Sequence, residues 1–478
     1  MKKGIISFGA YLPYNYLSRA TLGKVWGDKG GKGEKSIADV DEDSLTMAVE
    51  ASMGCFRFIK REHVNSLYFA STTGPYAEKS HSALISVACD LSNSDMFAVD
   101  FMSSTKAGTN AIKAALDSAV ANPGNSILVV ASDMRNGYPK SKQESGFGDG
   151  AAAVVIGSGD NLLAEIDYFT SVSEEINDYW RNTDEKYTLH AEERFCDEEG
   201  YLREVKIILT KLLKETNTKI TDYNKVVLVS QNSRLQVKIS KKFGIKPEQL
   251  SDTLLSNVGD TGAAQGILGI VNALENSAAG DKILVVDYGN GANAMVLTVT
   301  EKIAQIKGEE QIKNYLNTRE ELDSYVRFLS WRDIAAAEPG GAFKLSPSTA
   351  QTWREQNINL RLHGSFCNNC GATSYPISRV CDNCGALDNY EAVRLSDQVC
   401  KLYTFSVDMY AGRSDAPVII QAVAEAPNQA HIYTVLTNCK SDDVKFDMDL
   451  ELTFRKMHEL GNFPNYFWKF RPLRRKRV

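Results

Sequence analysis

Lys106-Ala107-Gly108-Thr109 and Asp260-Thr261-Gly262-Ala263 are two short runs of small residues about 155 positions apart, and the chain continues in the same way after each of them. The first opens a helical segment, Asn110 to Val120, and leads to the apolar run Asn125-Ser126-Ile127-Leu128-Val129-Val130. The second opens a helical segment reaching about Ser277 and leads to Gly280-Asp281-Lys282-Ile283-Leu284-Val285-Val286. Both apolar runs read as buried strands. Each returns through glycines into another strand: Gly146-Phe147-Gly148-Asp149-Gly150 before Ala151-Ala152-Ala153-Val154-Val155-Ile156, and Tyr288-Gly289-Asn290-Gly291 before Ala294-Met295-Val296-Leu297. The repeat predicts an internal duplication, with halves over 1–165 and 166–305. Apolar β runs alternating with Ala-rich helices predict a layered α/β fold.

Beyond Glu301 the pattern loosens into a charged, helix-prone linker over 306–346 that ends at Glu338-Pro339-Gly340-Gly341. A short helix around Ser348 to Gln356 then leads to Cys367-Asn368-Asn369-Cys370-Gly371 and Cys381-Asp382-Asn383-Cys384-Gly385, within a unit spanning 347–395. Each knuckle places two thiolates on a tight turn. The glycine after the second cysteine lets the backbone aim N–H groups at the sulfurs, so four thiolates at this spacing predict a closed, structural Zn²⁺ site. Iron in a rubredoxin-like site uses the same ligand set. From 396 to 478, short alternating runs such as Val418-Ile419-Ile420-Gln421-Ala422-Val423 and His431-Ile432-Tyr433-Thr434-Val435-Leu436 predict a small β-barrel.

The chain has 478 residues, 43% of them hydrophobic and 24% charged, enough apolar material for a large core divided among two or three domains. No run approaches a membrane span, and the start leads straight into the strand-like Gly4-Ile5-Ile6-Ser7-Phe8, so a cytoplasmic location is expected. Five of the nine cysteines (Cys55, Cys89, Cys196, Cys400, Cys439) are scattered and read as small buried hydrophobes. A net charge of −6 argues against a nucleic-acid protein. The exception is the cluster Arg471, Arg474, Arg475, Lys476 and Arg477 beside Tyr466, Phe467 and Trp468, which could stack and neutralise a single strand. A CoA phosphate or a partner subunit is the other use of those arginines. The Gly146 to Gly150 loop precedes a strand and not a helix, which argues against a nucleotide cradle.

Four stretches carry a family likeness: Gly4-Ile5-Ile6-Ser7-Phe8-Gly9-Ala10-Tyr11-Leu12-Pro13, Asp41-Glu42-Asp43-Ser44-Leu45-Thr46-Met47-Ala48-Val49-Glu50-Ala51, the Lys106 run, and Val258-Gly259-Asp260-Thr261-Gly262. Together they resemble the archaeal-type 3-hydroxy-3-methylglutaryl-CoA synthases, thiolase-fold condensing enzymes related to ketoacyl-ACP synthase type three. Over about residues 1–300 the resemblance implies a duplicated thiolase-type fold in αβαβα layers, a CoA thioester as ligand, and a homodimer. The C-terminal part, closing on Tyr466-Phe467-Trp468-Lys469-Phe470-Arg471-Pro472, is similar to OB-fold domains with a zinc hook that partner thiolases and these synthases. In many relatives the two parts are separate chains of one complex; here they are fused. That likeness implies a thiolase-type protein partner and a hetero-oligomer larger than a homodimer.

Such an enzyme needs a cysteine thiolate to take the acyl group, a histidine to assist it, and groups that manage carbanion and oxyanion. The resemblance places the nucleophile just before Lys106, where this chain has Thr105, preceded by Ser103 and Ser104. The family histidine falls at Ser230, after Val226-Val227-Leu228-Val229 and with a one-residue gap; the acid/base glutamate falls at Thr72; the usual asparagine is Asp260. All four positions depart from the pattern. That implies a degenerate condensing enzyme acting as a subunit of an acyl-CoA Claisen or retro-Claisen complex. An active acyltransferase using Thr105 or Ser104, and a nucleic-acid-binding zinc-OB protein, are the alternatives. His81 is the histidine nearest a site loop and the candidate base for Thr105, though a surface or helix position is the plainer expectation. Glu144 and Asp133, near a site entrance, read as solvated or capping groups.

Overall fold

A computed structural model of the chain describes residues 2–91, 95–338, 348–460 and 463–474. Pro339, Gly340 and Gly341 at the end of the expected linker, and Arg475, Lys476 and Arg477 of the basic tail, lie outside the described residues.

The strands are β1 (Lys3–Tyr11), β2 (Val64–Ser71), β3 (Phe97–Met102), β4 (Ser126–Asp133), β5 (Gly150–Ser158), β6 (Ala164–Ser173), β7 (Lys225–Leu228), β8 (Lys282–Tyr288) and β9 (Gly291–Val299). They form one nine-stranded sheet in the order β7-β8-β9-β6-β1-β5-β4-β2-β3. Outward from the centre, the order β1-β5-β4-β2-β3 on one side is matched by β6-β9-β8-β7 on the other. The two series meet where Gly4 and Ile5 pair with Glu165 and Ala164. Each series combines antiparallel pairs near the centre with parallel pairing farther out, β4-β2-β3 on one side and β8-β7 on the other. The central strands are apolar and almost wholly buried, as a sheet covered on both faces requires.

The main helices framing the sheet are α1 (Ser44–Cys55), α2 (Ala107–Ala121), α3 (Arg203–Thr216), α4 (Ser233–Phe243) and α5 (Gln265–Glu275). Helix α2 starts three residues before its expected first residue. Before α5, Gly262–Ala264 forms a separate tight 3-10 turn, and the helix ends at Glu275. The two runs that announce the duplication touch: a Cβ on Gly108 would stand 2.5 Å from the Ala263 carbonyl oxygen, so only glycine lets these helix starts approach. Helix α1 begins with a capping box in which Asp43 accepts from the Thr46 N–H and the Thr46 hydroxyl oxygen accepts from the Asp43 N–H. All its residues except Met53 are buried, including Glu50.

The linker segment holds two short helices, Gln311–Asn317 and Tyr325–Trp331, both packed on the body. After Thr349–Arg354 and Gln356–Asn359, a three-stranded sheet of His363–Cys367, Thr373–Ser374 and Tyr390–Arg394 carries the cysteine knuckles. Strands β10 (Cys400–Asp408), β11 (Ile419–Glu425), β12 (His431–Leu436), β13 (Asp449–Leu460) and β14 (Phe463–Pro472) close a barrel in the order β10-β11-β12-β14-β13.

The barrel is seated on the head of α1. Arg455 pairs with Asp41 at 3.0 Å and Glu42 at 2.8 Å, Lys469 with Asp41 at 2.8 Å, and Arg471 with Glu50 at 2.7 Å. The Tyr466 hydroxyl donates to Asp43 at 2.7 Å. Arg474 donates to the carbonyls of Leu12, Pro13 and Tyr315. Arg455 and Trp468 are 0% exposed and Arg471 1%. This corrects the expected use of the tail: Arg471 and Arg474 are consumed inside the chain, Arg471 neutralising the buried Glu50 of α1 and Arg474 bonding to backbone carbonyls. Among the described residues no helix is long and apolar enough to cross a membrane.

Candidate functional site

Thr105 lies between β3 and α2, where the chain turns through Ser103 at a φ of 72°. Its hydroxyl donates to the carbonyl of Tyr288 at 3.0 Å, at the end of β8. Gly289 is obligatory there, since a Cβ would stand 2.4 Å from the Thr105 Oγ1. The Ser104 hydroxyl faces the Gly289 carbonyl at 3.4 Å. Lys106 is buried and donates to the carbonyls of Val172 and Asn290; burial lowers its ammonium pKa.

Thr72 and Asp260 are brought together through Asp133, which the sequence placed near a site entrance, and Arg135, which it did not single out. Asp133, at the end of β4, is fully buried. It accepts from the Thr72 N–H at 2.7 Å, the Ser71 and Thr73 hydroxyls, and the Ala263 N–H at 2.7 Å. Arg135 pairs with Asp260 at 2.7 Å and lies 4.0 Å over the Phe147 ring. Asp133 is therefore a junction between the Thr72 loop and the second half, and not a solvated group. Glu144 is also buried, accepting from the Lys140 N–H and the Tyr325 hydroxyl.

The second half mirrors this junction. Asp287, which belongs to β8 as Asp133 belongs to β4, accepts from the Thr109 hydroxyl of α2 at 2.7 Å and from the Tyr288 N–H. Burial raises its pKa to about 7. Each half thus sends a carboxylate from the end of its inner strand to the helix head of the other. The signal was present in the duplication, as an acid closing each Val-Val strand.

Ser230 lies just beyond β7 and turns its hydroxyl to the Asn232 carbonyl at 2.6 Å, while the Asn232 side chain caps α4. It lies beside Tyr201, whose ring packs edge-on against Tyr288 at 5.4 Å. His81 opens the helix His81–Ala88, as one of the two expected positions had it, and is buried and not on the surface, with Nδ1 against Asp100 at 3.0 Å and Nε2 accepting the Tyr76 N–H at 3.2 Å. Both ring nitrogens are engaged, Nε2 by the 72–76 loop and Nδ1 by Asp100 of β3, so the residue is not poised to deprotonate Thr105. Cys196 is buried, as expected of a small hydrophobe, and its thiol pKa is pushed up to about 11 by burial and the nearby Asp178.

The four knuckle cysteines converge. Cys367, Cys370, Cys381 and Cys384 place their sulfurs within 4.8 Å of one another. Cys367 and Cys384 are 3.7 Å apart, Cys370 and Cys381 3.6 Å. A tetrahedral ion with roughly 2.3 Å metal–sulfur bonds needs sulfurs roughly 3.8 Å apart, so the donor set fits one metal ion. Gly371 and Gly385 adopt positive φ, letting the Ala372 and Ala386 N–H groups face Cys370 and Cys384.

No protein-family model matches the chain. Among solved structures, an HMG-CoA synthase complexed with CoA is similar at a TM-score of 0.62 and 19% identity, covering 73% of this chain and 95% of that one. MvaS in complex with 3-hydroxy-3-methylglutaryl coenzyme A aligns at 0.63 and 18%, covering 73% and 94%. The 3-oxoacyl-[acyl-carrier-protein] synthase III of Aquifex aeolicus aligns at 0.55 and 21%, covering 62% and 99%. These likenesses show the fold, a thiolase-like α/β body. Among curated proteins, the hydroxymethylglutaryl-CoA synthase of Pyrobaculum arsenaticum is 30% identical over 348 residues, 70% of this chain and 99% of that protein. That of Picrophilus torridus is 31% identical over 348 residues, 69% and 97%. Nearly the whole of each relative is matched within this longer chain, and at that identity and coverage the chain belongs to the hydroxymethylglutaryl-CoA synthase family.

Proposed function

We propose that this protein is a catalytically degenerate member of its family that binds acyl-CoA and serves as a subunit of an acyl-CoA Claisen or retro-Claisen assembly with a thiolase-type partner. One observation carries the reading: the Thr105 hydroxyl, at the nucleophile position, donates to a backbone carbonyl and not to a base that could take its proton. The other three positions support it. Ser230 is turned to its own loop, Thr72 offers a methyl and hydroxyl where an acid/base is needed, and Asp260 is neutralised by Arg135.

The ligand reading draws on relatives whose structures hold CoA and 3-hydroxy-3-methylglutaryl coenzyme A. An aromatic and basic surface near the body suits an adenine nucleotide: Trp26 beside Tyr325, Lys140 over Trp26, and Tyr138 stacked on Tyr187 at 4.2 Å. For the partner, the barrel offers exposed Tyr403, Tyr410, Tyr433 and Phe446. The barrel and cysteine sheet would be an OB-type domain with a structural Zn²⁺, closed to water by four thiolates. The outer edge of β3 has no partner strand among the described residues, and Phe97 on it is 60% exposed. Symmetric pairing of two such edges would give a homodimer.

Co-purification from the native cell, with thiolysis assays on the assembly and on each chain, tests this. A cysteine-bearing thiolase that co-purifies, with activity needing both chains, is the expected result. An isolated chain that condenses thioesters, or gains acyl mass on Thr105 or Ser104, would overturn the degenerate reading in favour of an active acyltransferase.

A further inference from the structure

The four knuckle sulfurs are alike as metal donors but not as targets for reagents in solution. Cys367 is 3% exposed and Cys381 half-buried, whereas Cys370 and Cys384 are exposed. Holding a metal ion requires all four as thiolates, and the thiolate is also the form that attacks an oxidant. An accessible thiolate beside a second one is the arrangement that peroxide converts to a disulfide.

Geometry separates the two exposed sulfurs. Cys370 Sγ lies 3.6 Å from that of Cys381, and Cys384 Sγ lies 3.7 Å from that of Cys367. Closing either pair to the roughly 2.05 Å of a disulfide requires one partner to move. Cys367 is held in place. It ends the strand His363–Cys367, pairs with Tyr390, and donates its N–H to the Ala372 carbonyl at 2.8 Å. The foot of that strand is clamped to the body: Arg361 pairs with Asp90 at 2.7 Å, His363 Nε2 meets the same carboxylate at 2.9 Å, and Arg394 donates to the Ala88 carbonyl at 2.9 Å. Cys381 belongs instead to the outer knuckle, a short hairpin closed by a bridge between Val380 and Leu387, which are 48% and 64% exposed. That hairpin can shift without disturbing a packed core.

We infer that Cys370 is a peroxide-reactive site and Cys381 its resolving thiolate, so that oxidation links the two knuckles and releases the metal. The inference rests on the structural-metal reading above. The Cys370 thiolate attacks one oxygen of hydrogen peroxide; the S–O bond forms, the O–O bond breaks, and a sulfenic acid and hydroxide result. The Cys381 thiolate then attacks the Cys370 sulfur, the S–S bond forms, and the S–O bond breaks with loss of a second hydroxide. Two thiolates have thereby given two electrons to the peroxide, and two protons from solvent turn both hydroxides into water. Cys367 and Cys384 remain as two donors where a closed site needs four. The tip of the cysteine sheet opens while its foot stays clamped at Asp90.

Hydrogen peroxide titration of the reduced, zinc-loaded full chain tests it, with a chromogenic chelator reading released zinc and peptide mass mapping reading each cysteine. The expected result is about one zinc ion released per chain together with a Cys370–Cys381 disulfide, both reversed by dithiothreitol and added zinc. Cys367 and the buried Cys55, Cys89 and Cys400 should stay reduced. In Cys381→Ser the reaction should stop at a sulfenic acid on Cys370 that dimedone captures, a readout that does not depend on how tightly the variant holds zinc. A disulfide through Cys367, a dimedone adduct on another cysteine in place of Cys370, or zinc that stays bound under peroxide would overturn the inference and leave the metal reading intact. A native chain that takes up no zinc would overturn both.

Discussion

The seam between barrel and body and the region of the candidate site are both buried and both polar, but they treat their polar groups in opposite ways. In the seam, Asp41, Glu42, Asp43 and Glu50 each meet a cation or a phenol from β13 or β14. Around the candidate site, Thr72 Oγ1, Arg135 Nε and Glu204 Oε2 are buried without hydrogen-bond partners. A buried charge left alone costs several kcal/mol, so a fully paired seam marks a permanent joint. Unpaired groups beside the family's catalytic positions mark a place where something else is meant to arrive. The barrel is thus fixed to the body, and a mechanism in which it swings between active sites is disfavoured.

The comparison can be broken most severely through the cysteine knuckles, where the proposed metal would hold a part of the chain outside both regions. Chelation should remove one metal ion per chain and expose the segment around Cys367 to Cys384 to protease, while the seam stays closed; apparent zinc affinities in small knuckles are roughly 10–16 kcal/mol. A protein whose barrel detaches on chelation would show that the metal, and not the ion pairs, makes the joint.

Arg455→Ala tests the joint directly. It strands Asp41 and Glu42 in a dry interface and should cost about 3–5 kcal/mol in denaturant unfolding. A loss below about 1 kcal/mol would mean that water enters the seam and that the pairing carries little.

Titration sharpens the contrast within the interior. Asp287 is raised by burial from 3.8 to about 7, so the folded state binds its proton more tightly than the unfolded chain does. Its contribution is fully present below about pH 4 and is lost as pH rises through about 7, by roughly 2–4 kcal/mol. Unfolding of Asp287→Asn measured across that window should show a flatter pH profile than the native chain. Asp39, at the seam, is raised to about 7 by burial and by Asp41, and Asp39→Asn should flatten the same window.

The smallest effect is expected at the position that in a working enzyme would give the largest. Thr105→Ala removes one hydrogen bond to a carbonyl and should cost about 1 kcal/mol of stability. Acyl-CoA affinity should stay within about twofold, and neither chain should gain acyl mass. A roughly tenfold loss of thioester binding or turnover in that variant would return Thr105 to the chemistry.

Much of this protein could be read from residues alone. The paired small-residue runs, the Val-Val strands and their glycine returns announced a duplicated layered body, because strand and helix periodicity are local properties of a chain buried on known faces. The cysteine spacing announced a metal knuckle for the same reason: four ligands within eighteen residues can meet without help from the rest of the fold. The proposal that cysteine, histidine and glutamate are replaced at Thr105, Ser230 and Thr72 also comes from the residues alone.

What only the tertiary structure decided is which distant groups share a partner. The acidic stretch from Asp41 to Glu50 and the basic aromatic stretch from Tyr466 to Arg471 were both conspicuous in the sequence, and nothing local said that they bind each other across more than 400 residues. His81 was expected at a surface or helix position, and only the structure showed that it heads a helix with both its nitrogens held, by Asp100 and the Tyr76 N–H. Asp133 read as a solvated or capping group and Asp287 drew no reading, and only the structure showed each reaching the other half's helix head. A buried charge must find a counter-charge or donor, but the energy that enforces this rule depends on distance in space and not along the chain. The sequence states the requirement, and folding chooses the partner.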